Sequence, residues 1–531
     1  MFDSFFARVG EAAATPPDYI KLFTLLIVAY PLAYPLPGLP PHVKHAFSIA
    51  TSFLFLFGIL NLRAGYAQLL ATALATYALA RFRVGGANMP WIVFGVQMGH
   101  LTVNHLVRAF GDIPLTTIEI TAAQMVLCMN LTSFAWSVHD GRRPAEECDA
   151  QQKEHRITEF PDLLEFLGYA FFFPGVLIGP STRFVDYRAW SRNTLYGGSS
   201  SAAPRTPPKG RVRAAITELV LGFAFMGVWA VLAADYNYEA LLLPKGEPGS
   251  ALDRSLLSRI WITNVAGLVA RTKYYGIWGL ANGACVLSGL AYNGLAPAAK
   301  GAASDEASRS RWDRCRNIDP VKIEFANNWK ELLDAWNMNT NVWLRNCVYK
   351  RVAKPGKKPG FKSTMLTFMT SAFWHGVAPG YYLTFVLGGL AQSVGRTLRK
   401  HLRPIVFRDP RAPNPSFGTL FTYTPAQLVY CGLSIVAVQL SVNFTVLPFM
   451  LLGVRDSLAG WHALGYYGLV VVVALMAAFR AGLGVHLDRA SGVAQQKKAD
   501  KKLAGLSEQG KANMQMPDVV SSLASEAKKE L

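Results

Sequence analysis

The sequence predicts an all-α, polytopic integral membrane protein of about ten to twelve transmembrane helices. Three observations carry that expectation. Of 531 residues, 51% are hydrophobic, 12% aromatic and only 16% charged. The apolar residues gather in blocks close to the roughly 20 residues that span a bilayer, not in the narrow stripes of soluble amphipathic helices. Basic residues also cluster beside those blocks, as the positive-inside rule requires of cytoplasmic loops.

The blocks run, in order, over Leu22 to Leu36, Ala46 to Leu60, Tyr66 to Ala80, Met89 to Phe110, Leu115 to Trp136, Leu163 to Ile178 and Ile216 to Ala234. They continue over Leu256 to Ala270, Tyr274 to Leu290, Ser363 to Leu390, Pro425 to Leu452 and Leu464 to Ala478. Between them, 191–213 reads as an exposed Ser/Gly/Pro/Arg loop and 295–310 as an Ala/Ser connector. Residues 1–490 are therefore expected to form one multi-pass membrane domain. Residues 491–531, polar and rich in lysine, form a cytosolic tail expected to be disordered. The N-terminus lacks a basic region followed by a cleavage site, so no removable signal is expected.

Charge and cysteine narrow the function classes. The net charge of +19 would suggest nucleic acid in a soluble protein, but seven basic and no acidic residues lie between Arg345 and Lys362, directly before an apolar block. That placement indicates a cytosolic loop and argues against a nucleic-acid partner. The six cysteines are scattered without paired spacing, so neither a disulfide framework nor a zinc cluster is expected. No internal repeat, nucleophile elbow or Walker loop is present, which disfavours an inverted-repeat transporter, a serine hydrolase and an ATP-driven pump. Lys528 and Lys529, fourth and third from the end, resemble a dilysine retrieval signal of the endoplasmic reticulum membrane, which needs a cytosolic tail. A lumenal Lys-Asp-Glu-Leu type signal fits less well, because Lys529 stands where Asp is required.

Ionisable groups inside apolar blocks are costly and hence informative. His100, His105 and His375 are three such groups. His100 and His105 are five positions apart, the wrong spacing for a shared metal on one helix face, and read as hydrogen bonds between helices. With a helix starting near Ser363, His375 falls about 18 Å along it, near mid-bilayer. Pro379 cannot donate the backbone bond that His375 would accept, so a kinked backbone is expected beside this imidazole, flanked by Gly376 and Gly380. Such backbone is tolerated at depth where it is buried in protein or lines a cavity. Upstream, Trp329, Trp336 and Trp343 recur every seven residues, a helical stripe that suits packing or an interfacial belt. Asn337, Thr340, Asn341 and Leu344 share the adjacent face and offer polar groups to a substrate.

Trp336-Asn337, Thr340, Trp343-Leu344 and Tyr349-Lys350-Arg351, followed by Trp374-His375-Gly376, Gly380-Tyr381 and Phe385, resemble the signature of the membrane-bound O-acyltransferase family, in its lysophospholipid acyltransferase branch. Further likeness lies at Arg271, Tyr274, Tyr275, Trp278, the 289–294 stretch and the segment from Gly179-Pro180 to Tyr187. One departure is Asn282-Gly283, where the family often has Glu-Gly; an amide cannot replace that carboxylate's charge.

The resemblance implies a catalytic chamber with His375 and Asn337 as the active pair, reached by acyl-CoA from the cytosol and by a lysophospholipid from the bilayer. Independently, acyl transfer from a thioester to an alcohol needs a base such as imidazole and a group that steadies the oxyanion or aligns the alcohol. Substrate contacts are expected at Trp336, Thr340, Asn341, Trp343, Trp374, Gly376, Tyr381 and Tyr275. Arg345, Lys350 and Arg351 would meet the CoA phosphates, unless they serve only the positive-inside signal. No metal or cofactor is expected, acyl-CoA being a substrate. A sterol, diacylglycerol or protein acceptor is the nearer alternative, and a transporter with a histidine proton relay is the alternative from another class.

Overall fold

The computed structural model describes residues 2–111, 113–114, 116–196, 206–297, 306–352, 360–409, 412–415 and 419–491. Among these the chain is built from helices, with one isolated bridge between Leu295 and Ser310. Four helical segments, at Pro17–Gly38, Pro41–Ile59, Arg211–Leu232 and Pro425–Leu451, are long and apolar enough to cross a membrane. The Val454–Ala463 and Tyr467–Arg480 pair, bent by 82°, makes a fifth if counted as one span. The lysine-rich tail from 492, with its dilysine, and Lys354, Lys357 and Lys358 of the basic loop lie outside the described residues.

The described residues divide into two compact units, one within 1–392 and 435–469 and one within 393–434 and 470–491. The smaller one is held locally by polar contacts. Arg403 is buried, donates to Asn414 Oδ1 and the Ala412 carbonyl at 2.7 Å each, and lies over the Phe407 ring. His401 Nδ1 lies 2.6 Å from Asp488.

In the larger unit, Arg211–Leu232 shows why such a helix needs lipid: Ile216, Val220, Leu221, Phe223, Val228 and Val231 point outward, exposed. Its other side packs closely on Leu256–Ser288, where a Cβ on Gly276 would come within 2.9 Å of the Gly222 carbonyl. Small residues at such a crossing let helix backbones approach where lipid supplies no hydrophobic drive.

The helices depart from the expected pattern most at three blocks and at the tryptophan stripe, each with a local cause. Leu256 to Ala270 and Tyr274 to Leu290 are one 33-residue helix. The polar Arg271-Thr272-Lys273 step interrupts the apolar run but carries neither Gly nor Pro, so the hydrogen-bond ladder continues. Leu163 to Ile178 is not one span: Leu163–Ala170 and Phe173–Val176 are separate short helices whose aromatic rings fill the core. Ser363 to Leu390 is broken rather than merely kinked, into Phe361–His375 and Pro379–Val406. The tryptophan stripe is broken as well, into Trp329–Ala335 and Met338–Leu344, because Asn337 adopts φ +44°, a left-handed conformation that asparagine tolerates better than most residues.

Candidate active site

Both breaks open onto one cavity of about 800 Å³ in the larger unit, and His375 and Asn337 both line it. His375 ends its helix. Gly376 follows at φ +139°, and a Cβ there would lie 3.4 Å from the His105 ring, so glycine suits both the backbone and the space. The imidazole is set among aromatic rings, with centroids 4.7 Å from Trp374, 5.0 Å from Phe449, 5.4 Å from Phe385 and 5.8 Å from Tyr381. Met125, Met129, Tyr274, Trp278 and Val446 make much of the wall apolar.

His105 holds the backbone beside this ring. Its Nε2 donates to the Trp374 carbonyl at 3.2 Å, one of the acceptors that a helix end leaves open. His100 bonds Thr72 Oγ1 at 2.7 Å and Gln68 Oε1 at 3.1 Å on a neighbouring helix. Both histidines thus make the interhelical hydrogen bonds expected of them.

Asn337 caps the break between the two tryptophan helices. Its Oδ1 accepts from Thr340 Oγ1 at 2.8 Å and from Asn317 Nδ2 at 3.1 Å. Trp336 meets the rings of Tyr274 and Trp278 at 5.5 and 5.6 Å. On the same cavity wall, Arg271 is clamped by Glu324 at 2.8 and 2.7 Å and by Asn443 Oδ1 at 2.6 Å.

A second cavity, of about 290 Å³, has a different character. Arg183, Arg314, Arg316, Lys350 and Arg351 line it together with Asp140, Asp186 and Asp313. Most of these charges are already paired. Arg351 grips Asp140 at 2.9 and 2.5 Å and lies 4.0 Å over the Trp136 ring, Arg314 meets Asp186 at 2.6 Å, and Lys350 meets Asp149 at 2.8 Å. Burial raises the Asp149 carboxyl, but hydrogen bonds led by Lys350 outweigh it and hold the group below the usual carboxylate range. Arg316 is the freest, 43% exposed and 3.7 Å from Glu218. The two cavities share Asn339 and Ser181 in their walls.

Of the expected substrate residues, Trp336, Thr340, Trp374, Gly376 and Tyr381 line the first cavity with His375 and Asn337. Trp343 lines the second, donating to Thr132 Oγ1 at 2.8 Å. Asn341 turns away, its Nδ2 donating to the Leu333 carbonyl at 2.8 Å, because the break at Asn337 rotates the following helix. Tyr275 donates to Glu324 instead of facing the cavity, and Asn282 is buried and lines neither cavity. Lys350 and Arg351 line the polar cavity, while Arg345 is exposed and outside both. Asn317, Asn339 and Phe449 were not singled out by the sequence. Asn317 lies in a loop with no periodicity to mark it, and Phe449 looks like any apolar residue of its helix.

Residues 107–424 match the model of the membrane-bound O-acyltransferase family. A protein of Schizosaccharomyces pombe named lysophospholipid acyltransferase is 40% identical over 89% of this chain and 88% of its own. One of the same name from Saccharomyces cerevisiae is 36% identical over 87% of this chain and 74% of its own. The human membrane-bound glycerophospholipid O-acyltransferase 2 is 28% identical over 74% of this chain and 71% of its own. The chain belongs to the membrane-bound O-acyltransferase family.

Proposed function

We propose that this acyltransferase moves a fatty acyl group from acyl-CoA to the free glycerol hydroxyl, at sn-2, of a lysophospholipid. The observation that carries the reading is that His375 and Asn337, from separate breaks in the chain, line one largely apolar cavity. A neutral imidazole there takes the proton of the acceptor hydroxyl as its oxygen bonds to the thioester carbon. The carbonyl oxygen becomes anionic and is met by a hydrogen-bond donor. As the carbonyl reforms, the carbon–sulfur bond breaks and the CoA thiolate leaves with the proton that the imidazole took. Atoms and charge balance without a covalent enzyme intermediate.

The adjoining cavities support a donor that is half charged and half apolar. Arginines and lysines in the smaller cavity suit CoA phosphates, with Arg316 the least committed to a protein partner. The larger cavity suits acyl chains. At their shared wall the Asn339 Nδ2 is buried with no hydrogen-bond partner among the described residues, a donor that suits an amide carbonyl of the pantetheine arm. The names of the yeast relatives favour a lysophospholipid over a sterol or protein acceptor. The proposed setting is the endoplasmic reticulum membrane, with the lysine-rich segment after residue 491 on the cytosolic side, as the positive-inside rule favours.

CoA release by the detergent-purified chain, measured with lysophosphatidylcholine, lysophosphatidylethanolamine and cholesterol as acceptors, tests the reading. Release is expected with at least one lysophospholipid and not with cholesterol. Release with cholesterol alone would overturn the acceptor class, and release with none would overturn the reading as a whole.

A further inference from the structure

The Asn337 amide is oriented by a chain of hydrogen bonds that begins at a group with no freedom. The backbone N–H of Asn339 can only donate, and it donates to Asn317 Oδ1 at 3.0 Å. Asn317 must then turn its other amide atom, Nδ2, toward Asn337, which it reaches at 3.1 Å. A donor there demands an acceptor, so the Asn337 atom facing it is Oδ1. The Thr340 hydroxyl donates to the same oxygen at 2.8 Å, occupying its second lone pair. Both acceptor sites of Asn337 are therefore filled by protein. Its NH2 group has no hydrogen-bond partner among the described residues, on a residue that lines the apolar cavity.

The mount is itself well held. Met338 N–H donates to the Asn317 carbonyl at 2.8 Å, and Asp319 N–H to the Ala335 carbonyl at 3.0 Å. The loop thus clasps both sides of the left-handed turn at Asn337. Asn317 is 5% exposed, so water competes little for these bonds.

We infer that Asn317 is a positioning residue: it holds the Asn337 carboxamide with its NH2 toward the cavity, committing Asn337 to donate to the thioester oxygen as that oxygen becomes anionic. This rests on the acyl-transfer reading above and settles which of two roles Asn337 takes. An amide presenting its oxygen would align the acceptor hydroxyl, whereas one presenting NH2 serves the oxyanion. Thr340 acts through Asn337 in the same way.

The test uses the full-length chain in detergent with oleoyl-CoA and lysophosphatidylcholine, read by CoA release. Asn317→Asp keeps the size and still accepts from Asn339, but its carboxylate offers Asn337 no hydrogen. At about pH 8 it is expected to lower kcat by roughly tenfold or more, with KM for oleoyl-CoA within about twofold of wild type. Relative to wild type, the loss should shrink toward about pH 6, because a protonated carboxyl regains a donor, a reversal that a packing defect does not show. In an Asn337→Ala background the substitution should cost nothing further. A kcat within about twofold of wild type across that pH range, or a loss that multiplies with that of Asn337→Ala, overturns the positioning role. Asn337→Ala at full activity overturns instead the underlying assignment of Asn337. If Asn317→Asp does not fold, Thr340→Val and Thr340→Ser decide: valine should lower kcat and serine restore it, and equal rates overturn the inference.

Discussion

The two cavities of the larger unit meet at Asn339 and Ser181 yet are built on opposite principles. The larger is walled by rings and aliphatic groups and holds a few polar groups pinned by their neighbours: His375 at a helix end, Asn337 between two donors, Arg271 in the grip of Glu324. The smaller is dense with charge, and most of that charge is paired within the protein. In a dry environment a misplaced polar group is expensive, so each is fixed and few are present. In the charged cavity, paired charges keep arginines and lysines ordered without leaving a large unopposed field. Under the proposed function, the bond-making step falls to the apolar cavity and recognition of the charged donor to the polar one.

That division can be broken most sharply at His375. His375→Ala should reduce CoA release to background while the protein stays monodisperse in detergent; activity within about twofold of wild type would put the proton transfer elsewhere. Asn337→Ala comes next, with kcat lowered on the order of a hundredfold, as for loss of an oxyanion donor. A change confined to KM would make it a binding residue. Glu324→Gln breaks the carboxylate clamp on Arg271 and should cost about 3 kcal/mol of stability, read as a lower Tm in detergent, because a buried guanidinium loses its counter-charge. An unchanged Tm would mean that Asn443 and Gln439 suffice to hold Arg271. The smallest effect belongs to the polar cavity: Arg316→Gln should raise KM for acyl-CoA by roughly threefold, more at low salt than at high, with kcat preserved. A fall in kcat with unchanged KM would erase the distinction between the two cavities.

Much of this was legible in the sequence. The Trp336-Asn337 and Trp374-His375-Gly376 pairs carry residue types that are costly in an apolar setting, and they reach one cavity. Pro379 announced a discontinuity after His375, although the backbone breaks fully there. What escaped depends on contacts across long sequence separations. The Arg271-Thr272-Lys273 step looked like the end of a span because Glu324 and Asn443, which satisfy Arg271, lie far along the chain. Seven-residue spacing placed three tryptophans on one stripe, but it cannot register a single left-handed residue that turns Asn341 away from the cavity. Asn317 belongs to no periodic pattern at all.

The helix end at His375 has one more consequence, for the histidine beside it. A carbonyl oxygen can only accept, so the bond from His105 to Trp374 requires the proton of that ring to sit on Nε2. A neutral His105 then presents Nδ1 as its unprotonated nitrogen, on the side nearer Gly376. Two imidazoles stand within reach of one glycine, but one is fastened to the main chain through its only N–H. His105 can therefore take up a proton only at Nδ1, while its Nε2–H keeps the bond that holds the Trp374 backbone in place, so the two imidazoles are not equivalent: one is fixed in a single tautomer by the main chain.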